Sequence, residues 1–372
     1  MPIKYLPCIP SCISIAYIKN NSNKNNVVDA IKSIQVADDV DGSLFGKNTE
    51  KRIPGPSFQL TREYLSKLNA KQQTQSVNEQ NSKNPENKGI NYFDRVIVIG
   101  DSLSDSEGRM HRKSGGLLPR SRQYYEGKFT NGSTWIEFLV NPVFMKSHSF
   151  HNGKVEKSKV ELINRSEGGS PCASYSSDPK FLFLSNMKKQ QKGLTFDEKD
   201  LSIIFFGAND YMTYGKSDVD KVINSHKKHI KKMINNGAKN ILVMGLPDLS
   251  EPPAIKTTSP QTQRKIQNLS IEHNNKLQTL VNIFKLNKNI NINYFNVNNV
   301  MKKIINIVGD INKNSPGAYN MKTAFSDGYI RRDRPHLEVD PHYIFIDDVH
   351  PTQEVHNIIA MELHNFILEK YK

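Results

Sequence analysis

The sequence predicts an α/β domain built on a parallel sheet with helices on both faces. The first reason is residues 95–99 (Arg95-Val96-Ile97-Val98-Ile99), a largely apolar run ending at Gly100, which suits a buried parallel strand. The second is that comparable runs recur at 201–206 and 240–244, with a weaker alternating one at 291–295. The third is the spacing between them. Helical patterns fill 219–236 and 263–286, and 352–371 carries Val355, Ile359, Leu363, Phe366 and Ile367 on one stripe. Strands alternating with helices imply parallel crossovers, and in such sheets function sits at the carboxyl ends of the strands.

The chain divides by composition. Residues 1–90 are expected to be a polar, poorly ordered N-terminal extension, with one short helix-like piece at 58–68 and a linker at 71–88. Residues 91–372 are expected to form the α/β domain. Residues 5–18 are mildly apolar after Lys4, but Pro7 and Pro10 interrupt them and no small-residue cleavage site follows, unlike a secretory signal. No apolar run nears the roughly 20 residues of a membrane-spanning helix.

The formal charge is +14, which favours anionic partners. There is no zinc-finger spacing, RNP-like motif or arginine-rich arm, so nucleic acid is not the expected partner and a membrane surface is. The lysines among residues 226–232 read as the solvated face of a helix. Three cysteines, Cys8, Cys12 and Cys172, are too few and too scattered for a disulfide framework and point to a reducing compartment. No cofactor or metal is expected, and His336 and His342 have no ligand partners at metal spacing.

Four short blocks carry the chemistry. Gly100-Asp101-Ser102-Leu103-Ser104-Asp105-Ser106 follows the first strand, where Ser102 can present its hydroxyl at the sheet edge and a following helix would aim its amides there. Asn164-Arg165-Ser166-Glu167-Gly168-Gly169-Ser170 brings paired glycines whose backbone can approach a ligand and leave an amide free for an oxyanion. Gly207-Ala208-Asn209-Asp210 offers an Asn side-chain donor at a strand end. In Asp347-Asp348-Val349-His350-Pro351-Thr352, the Asp three residues before the His can fold back onto the imidazole. Singly, these blocks also read as a helix-capping serine, two turns and a surface histidine.

Together, and in this order, the blocks resemble the GDSL or SGNH hydrolases, over residues 92–370. The resemblance implies an SGNH-hydrolase, flavodoxin-like sheet. It assigns Ser102 as nucleophile, His350 as base and Asp347 as acid, with the Ser102 amide, Gly169 and Asn209 as oxyanion donors. Gly169 is preferred to Gly168 because it lies five residues after Asn164. Longer strings (GDSLSDSEGRM, YYEGKFTNGSTW, EGGSPCASYS, GANDYM, VMGLPDLS and DDVHPTQEVH) narrow the likeness to bacterial glycerophospholipid:cholesterol acyltransferases, including injected effectors. That likeness implies acyl transfer from glycerophospholipid to cholesterol, phospholipase A activity with water, host membranes facing the cytosol as the site of action, and activation by a GTP-bound Rho-family GTPase. Residues 1–90 share none of it.

Other residues are expected to be structural. Trp135, with Phe138 and Leu139, reads as core, and Asp101 and Asp210 as loop braces. Tyr124 and Tyr125 are candidates for an acyl groove. The four blocks alone also admit an esterase of small or carbohydrate esters, and a scaffold docking on a GTPase or membrane is a different kind of reading.

Overall fold

The computed structural model describes residues 59–73, 89–120, 124–141, 160–175, 183–323 and 342–371. Expectations for residues 1–58 and 74–88, including Cys8 and Cys12, and for His336 lie outside the described residues.

A five-stranded sheet forms from β1 (Arg95–Gly100), β2 (Glu161–Asn164), β3 (Asp200–Phe205), β4 (Asn240–Met244) and β5 (Asn291–Phe295). Its spatial order is β2-β1-β3-β4-β5 and every pairing is parallel, the flavodoxin-like arrangement. The expected parallel α/β fold is present. β1 and β3 are buried almost throughout, which explains their uninterrupted apolar reading. β2 is a short edge strand with an exposed start, and its four residues carry too little pattern to be read from sequence. A small second sheet pairs β6 (Asn320–Thr323) with β7 (Tyr343–Phe345).

The helices are α1 (Gln59–Gln73), α2 (Arg109–Lys113), α3 (Trp135–Val140), α4 (Met187–Gln190), α5 (Ala208–Met212), α6 (Val219–Asn235), α7 (Pro253–Lys256), α8 (Pro260–Phe284), α9 (Val297–Asn314) and α10 (Gln353–Lys370). Contacts sort the larger ones into two groups: α1, α3, α9 and α10 pack together, as do α4, α6 and α8. The strand order steps one way from β1 to β2 and the other way from β2 through β5. Right-handed crossovers therefore put the two groups on opposite faces. In α6 the lysines 227, 228, 231 and 232 are exposed while His226, His229, Ile230 and Met233 are buried, the solvated face expected.

Helix α1 lies ahead of residue 91 yet belongs to the packed core. Leu60 and Tyr64 are buried, the Tyr64 hydroxyl donates to Glu362 at 2.6 Å, and the Thr61 hydroxyl donates to the Asn357 side-chain carbonyl oxygen at 2.7 Å. The fixed partners sit on α10, nearly 300 positions away. Among the described residues, no helix is long and apolar enough to cross a membrane.

Candidate active site

The four blocks meet at the carboxyl ends of β1, β2 and β3. Ser102 lies two residues past β1, Gly169 five past β2, and Asn209 opens α5 just after β3. The fourth block is the loop between β7 and α10. Ile346 N–H donates to the His350 carbonyl at 2.9 Å, closing that loop on itself, and Thr352 stands at the N-cap position of α10 with its hydroxyl donating to the Tyr343 carbonyl at 2.9 Å.

Ser102 Oγ and His350 Nε2 are 2.8 Å apart, and His350 Nδ1 lies 2.7 Å from Asp347 Oδ2. Asp347 Oδ1 accepts the amides of Val349 at 2.8 Å and His350 at 2.6 Å. Burial pushes the Asp347 carboxyl up, but the adjacent imidazole and these donors together hold it below the ordinary carboxylate value. Asp348 stands outside this arrangement: burial and the Asp347 charge raise its carboxyl, and its carbonyl accepts the Ala254 amide.

No helix follows Ser102 directly, contrary to the sequence expectation. The chain makes turns to Gly108, and α2 starts only at Arg109. The cause is local side-chain bonding. Asp101 accepts the Leu103 amide at 3.1 Å, while Asp105 takes the amides of Arg109 and Met110 at 2.7 and 3.0 Å. Asp and Ser side chains that bond nearby backbone in this way compete with helix formation.

The paired glycines separate cleanly. Gly168 N–H donates to Asp105 at 3.0 Å, so it is occupied, and an added Cβ there would run into the Phe129 ring at 2.2 Å. Gly169 has φ +74°, a left-handed conformation that glycine adopts without strain. Its carbonyl accepts the Tyr214 hydroxyl at 2.7 Å, which fixes the Gly169–Ser170 peptide plane that follows. Among the described residues, neither the Gly169 nor the Ser102 amide has a hydrogen-bond acceptor. Asn209 Oδ1 accepts the Thr213 hydroxyl at 2.7 Å, which turns its NH2 the other way, with only a long 3.3 Å contact to the Ser170 carbonyl.

Two polar braces tie the blocks together. The Asn164 NH2 donates to the Ser104 carbonyl and Ser106 hydroxyl at 2.6 and 2.7 Å. Asp210 accepts the amides of Cys172 and Ala173 and the Tyr175 hydroxyl. Asp101 and Asp210 thus brace loops as expected, and burial raises their carboxyls to about 7 and about 6. Trp135 is fully buried and donates to the Ser104 hydroxyl at 3.2 Å. The Cys172 thiol is also buried.

Tyr124 and Tyr125 part company. The Tyr124 hydroxyl donates to Asp347 Oδ2 at 2.5 Å, whereas Tyr125 bonds its surface neighbour Glu126. Phe129 stacks on His350 with ring centroids 4.9 Å apart. Sequence reasoning missed these two contacts and also Gln190, whose buried side chain bridges the Gly100 amide and carbonyl. The string YYEGKFTNGSTW marks the segment of Tyr124 and Phe129 but not their contacts, because each partner lies far away in the chain.

Leu103, Val349 and Pro351, chain neighbours of Ser102 and His350, wall a cavity of about 270 Å³, but Ser102, His350, Asp347, Gly169 and Asn209 do not line it. Trp135, Phe205, Met301, Ile305, Phe345 and Ile359 make it largely apolar, and Asp248, Glu251 and Lys302 add charge. Chemically, the arrangement offers a hydroxyl beside a carboxylate-oriented imidazole, with three donors free for an oxyanion.

The GDSL-like lipase/acylhydrolase family model matches residues 96–363. The chain belongs to that family. It is a serine esterase or acyltransferase by that membership and by its relatives. The secreted effector protein SseJ of Salmonella typhimurium is 38% identical over 304 residues, 78% of this chain and 68% of SseJ. The phosphatidylcholine-sterol acyltransferase of Aeromonas hydrophila is 34% identical over 202 residues. That match covers 51% of this chain and 54% of the acyltransferase, so the chain spans about half of that relative. Among solved structures, an acetylxylan esterase from Geobacillus stearothermophilus aligns over 74% of this chain and 94% of its own, with 12% identity and a TM-score of 0.40.

Proposed function

We propose that this chain is a lipid acyltransferase and phospholipase A that moves an acyl chain from a glycerophospholipid to cholesterol or to water. The observation that carries the reading is the Ser102–His350–Asp347 contact chain. A relay of this kind suits ester chemistry. The names of the Salmonella and Aeromonas relatives support the extension to lipid, sterol and secretion.

In the proposed cycle His350 Nε2 takes the Ser102 proton as Oγ attacks the ester carbonyl. The tetrahedral oxyanion rests on the Ser102 and Gly169 amides and the Asn209 NH2. Collapse expels the lysophospholipid oxygen, which takes the proton back from His350 and leaves an acyl-serine. A sterol hydroxyl or water then gives its proton to His350, attacks the acyl carbon and restores the Ser102 hydroxyl. Asp347 stays ionised throughout and steadies the imidazolium.

The same reading makes the protein a bacterial effector, injected into the host cytosol and peripheral on host membranes. Its net charge of +14 supports attraction to an anionic membrane surface. The family resemblance adds a GTP-bound Rho-family GTPase as activator. The test uses purified protein, labelled phosphatidylcholine vesicles with and without cholesterol, and a Rho protein loaded with GTP or GDP. Cholesteryl ester and lysophospholipid should form together, with free fatty acid replacing the ester when sterol is omitted. Turnover of short soluble esters with no vesicle lipid cleaved under any condition would reject the lipid substrate while leaving the esterase. Equal rates with GTP- and GDP-loaded protein would reject the activator.

A further inference from the structure

Both oxygens of Asp347 are crowded with donors. Oδ1 takes two amides, from Val349 and His350, and Oδ2 takes His350 Nδ1 and the Tyr124 hydroxyl. Three of these four donors come from the carboxylate's own loop and move with it. Only Tyr124, 223 positions away, ties the carboxylate to another part of the fold among the described residues.

The segment after Tyr124 continues the grip. Phe129 lies over the His350 ring and edge-on to Tyr124, with centroids 4.9 and 6.1 Å apart. The Thr130 hydroxyl donates to the Pro351 carbonyl at 3.1 Å, and Asn131 Oδ1 accepts the Gln353 amide at 2.9 Å. One short stretch thus holds the acid, the base and the first turn of α10.

We propose that Tyr124 is a positioning residue of the esterase, its hydroxyl fixing the Asp347 carboxylate against the His350 imidazole while Phe129 holds the ring. This rests on the reading of Ser102, His350 and Asp347 given above. A carboxylate bound on both oxygens cannot swing, so the imidazole keeps one tautomer and one direction toward Ser102 Oγ. The phenol is well suited to this role, because burial first, then the Asp347 charge, push its ionisation well above the ordinary value and keep it a donor.

The test is a double-mutant cycle on a soluble short-chain ester, so that failure of the lipid reading does not disturb it. Tyr124→Phe keeps the ring and removes the hydroxyl. It should lower kcat about tenfold with KM changed less than about twofold, as for loss of one bond to a charged group. The acid limb of its pH profile should move, because the carboxylate has lost the donor that comes from outside its own loop. In an Asp347→Ala background the same change should cost almost nothing further. Thr130→Val serves as control, since it removes a hydroxyl of the same segment that bonds a carbonyl instead of the carboxylate. Its acid limb should stay in place. Unchanged kcat in folded Tyr124→Phe protein, an equal loss in the Asp347→Ala background, or equal behaviour of the two hydroxyl variants overturns the assignment. Full activity in Ser102→Ala would instead overturn the relay itself.

Discussion

Ser102 and His350 stand 248 positions apart in sequence and 2.8 Å apart in space. Their contact joins the end of the first strand to the start of the last helix across the top of the sheet. Replacing Ser102 with Ala should abolish ester turnover while the thermal melt stays close to that of the parent, since the hydroxyl's partner His350 is still held by Asp347. A covalent fluorophosphonate probe should label the parent protein and not the variant. Appreciable hydrolysis by Ser102→Ala would mean that the nucleophile lies elsewhere.

The side chain of Asn209 is aimed by Thr213 and has only a long internal contact at its NH2. Asn209→Ala should therefore lower kcat by about 10²–10³ while leaving KM nearly unchanged, as expected for a donor used mainly in the transition state. Thr213→Val should cost less, because it loosens the amide without removing it. A loss below about threefold in Asn209→Ala would take that residue out of the oxyanion hole.

The two adjacent acids should behave very differently. Asp347→Asn keeps the shape but no longer dictates the imidazole tautomer, and should cost about 10⁴ in kcat. Asp348→Asn should stay within a few-fold of the parent. Side-by-side kinetics decide the matter, and the reverse pattern would exchange their roles.

Acid should loosen the fold. Burial holds His226 and His356 at about 3, His229 and His364 at about 4, and His273 well below its ordinary value, so all five stay neutral while their unfolded counterparts charge near pH 6.5. Their stabilisation is complete above pH 6.5 and drains away as pH falls toward these lower values, at about 1.4 kcal/mol per pH unit for each fully neutral ring. Asp101 and Asp210, raised to about 7 and about 6, and Asp105 and Asp348, also raised by burial, oppose this: they favour the folded state at low pH and lose that contribution as pH rises through their folded-state values. The five histidines outnumber these four carboxyls, so urea midpoints should fall between about pH 7.5 and about pH 5.5 as acid is added. His356→Asn should flatten that slope. A midpoint that rises on acidification would show the carboxyls dominating.

These predictions divide along the line of what a string of residues can reveal. Each of the four blocks was legible because its chemistry and local geometry sit within a few consecutive positions, as with Asp347 and His350. The long apolar strands β1, β3 and β4 were legible for the same reason. Edge strand β2 was not, since half-exposed Leu162 and Ile163 give no clear alternation. Helix α9 escaped notice among repeated Asn and Lys, although Val300, Met301, Ile304, Ile307 and Val308 form its buried stripe. The roles of Tyr124, Phe129 and Gln190 could not be read at all. Their meaning comes from partners brought in by the tertiary fold.

Helix α1 has a practical consequence for anyone cutting this chain. A fragment starting at residue 91 looks natural by composition, yet it would strip the cover from α10. It would leave the Asn357 side-chain carbonyl oxygen and the Glu362 carboxylate without the hydroxyls that now meet them. Such a fragment should be poorly behaved in solution, and the sound place for the cut is upstream of Gln59.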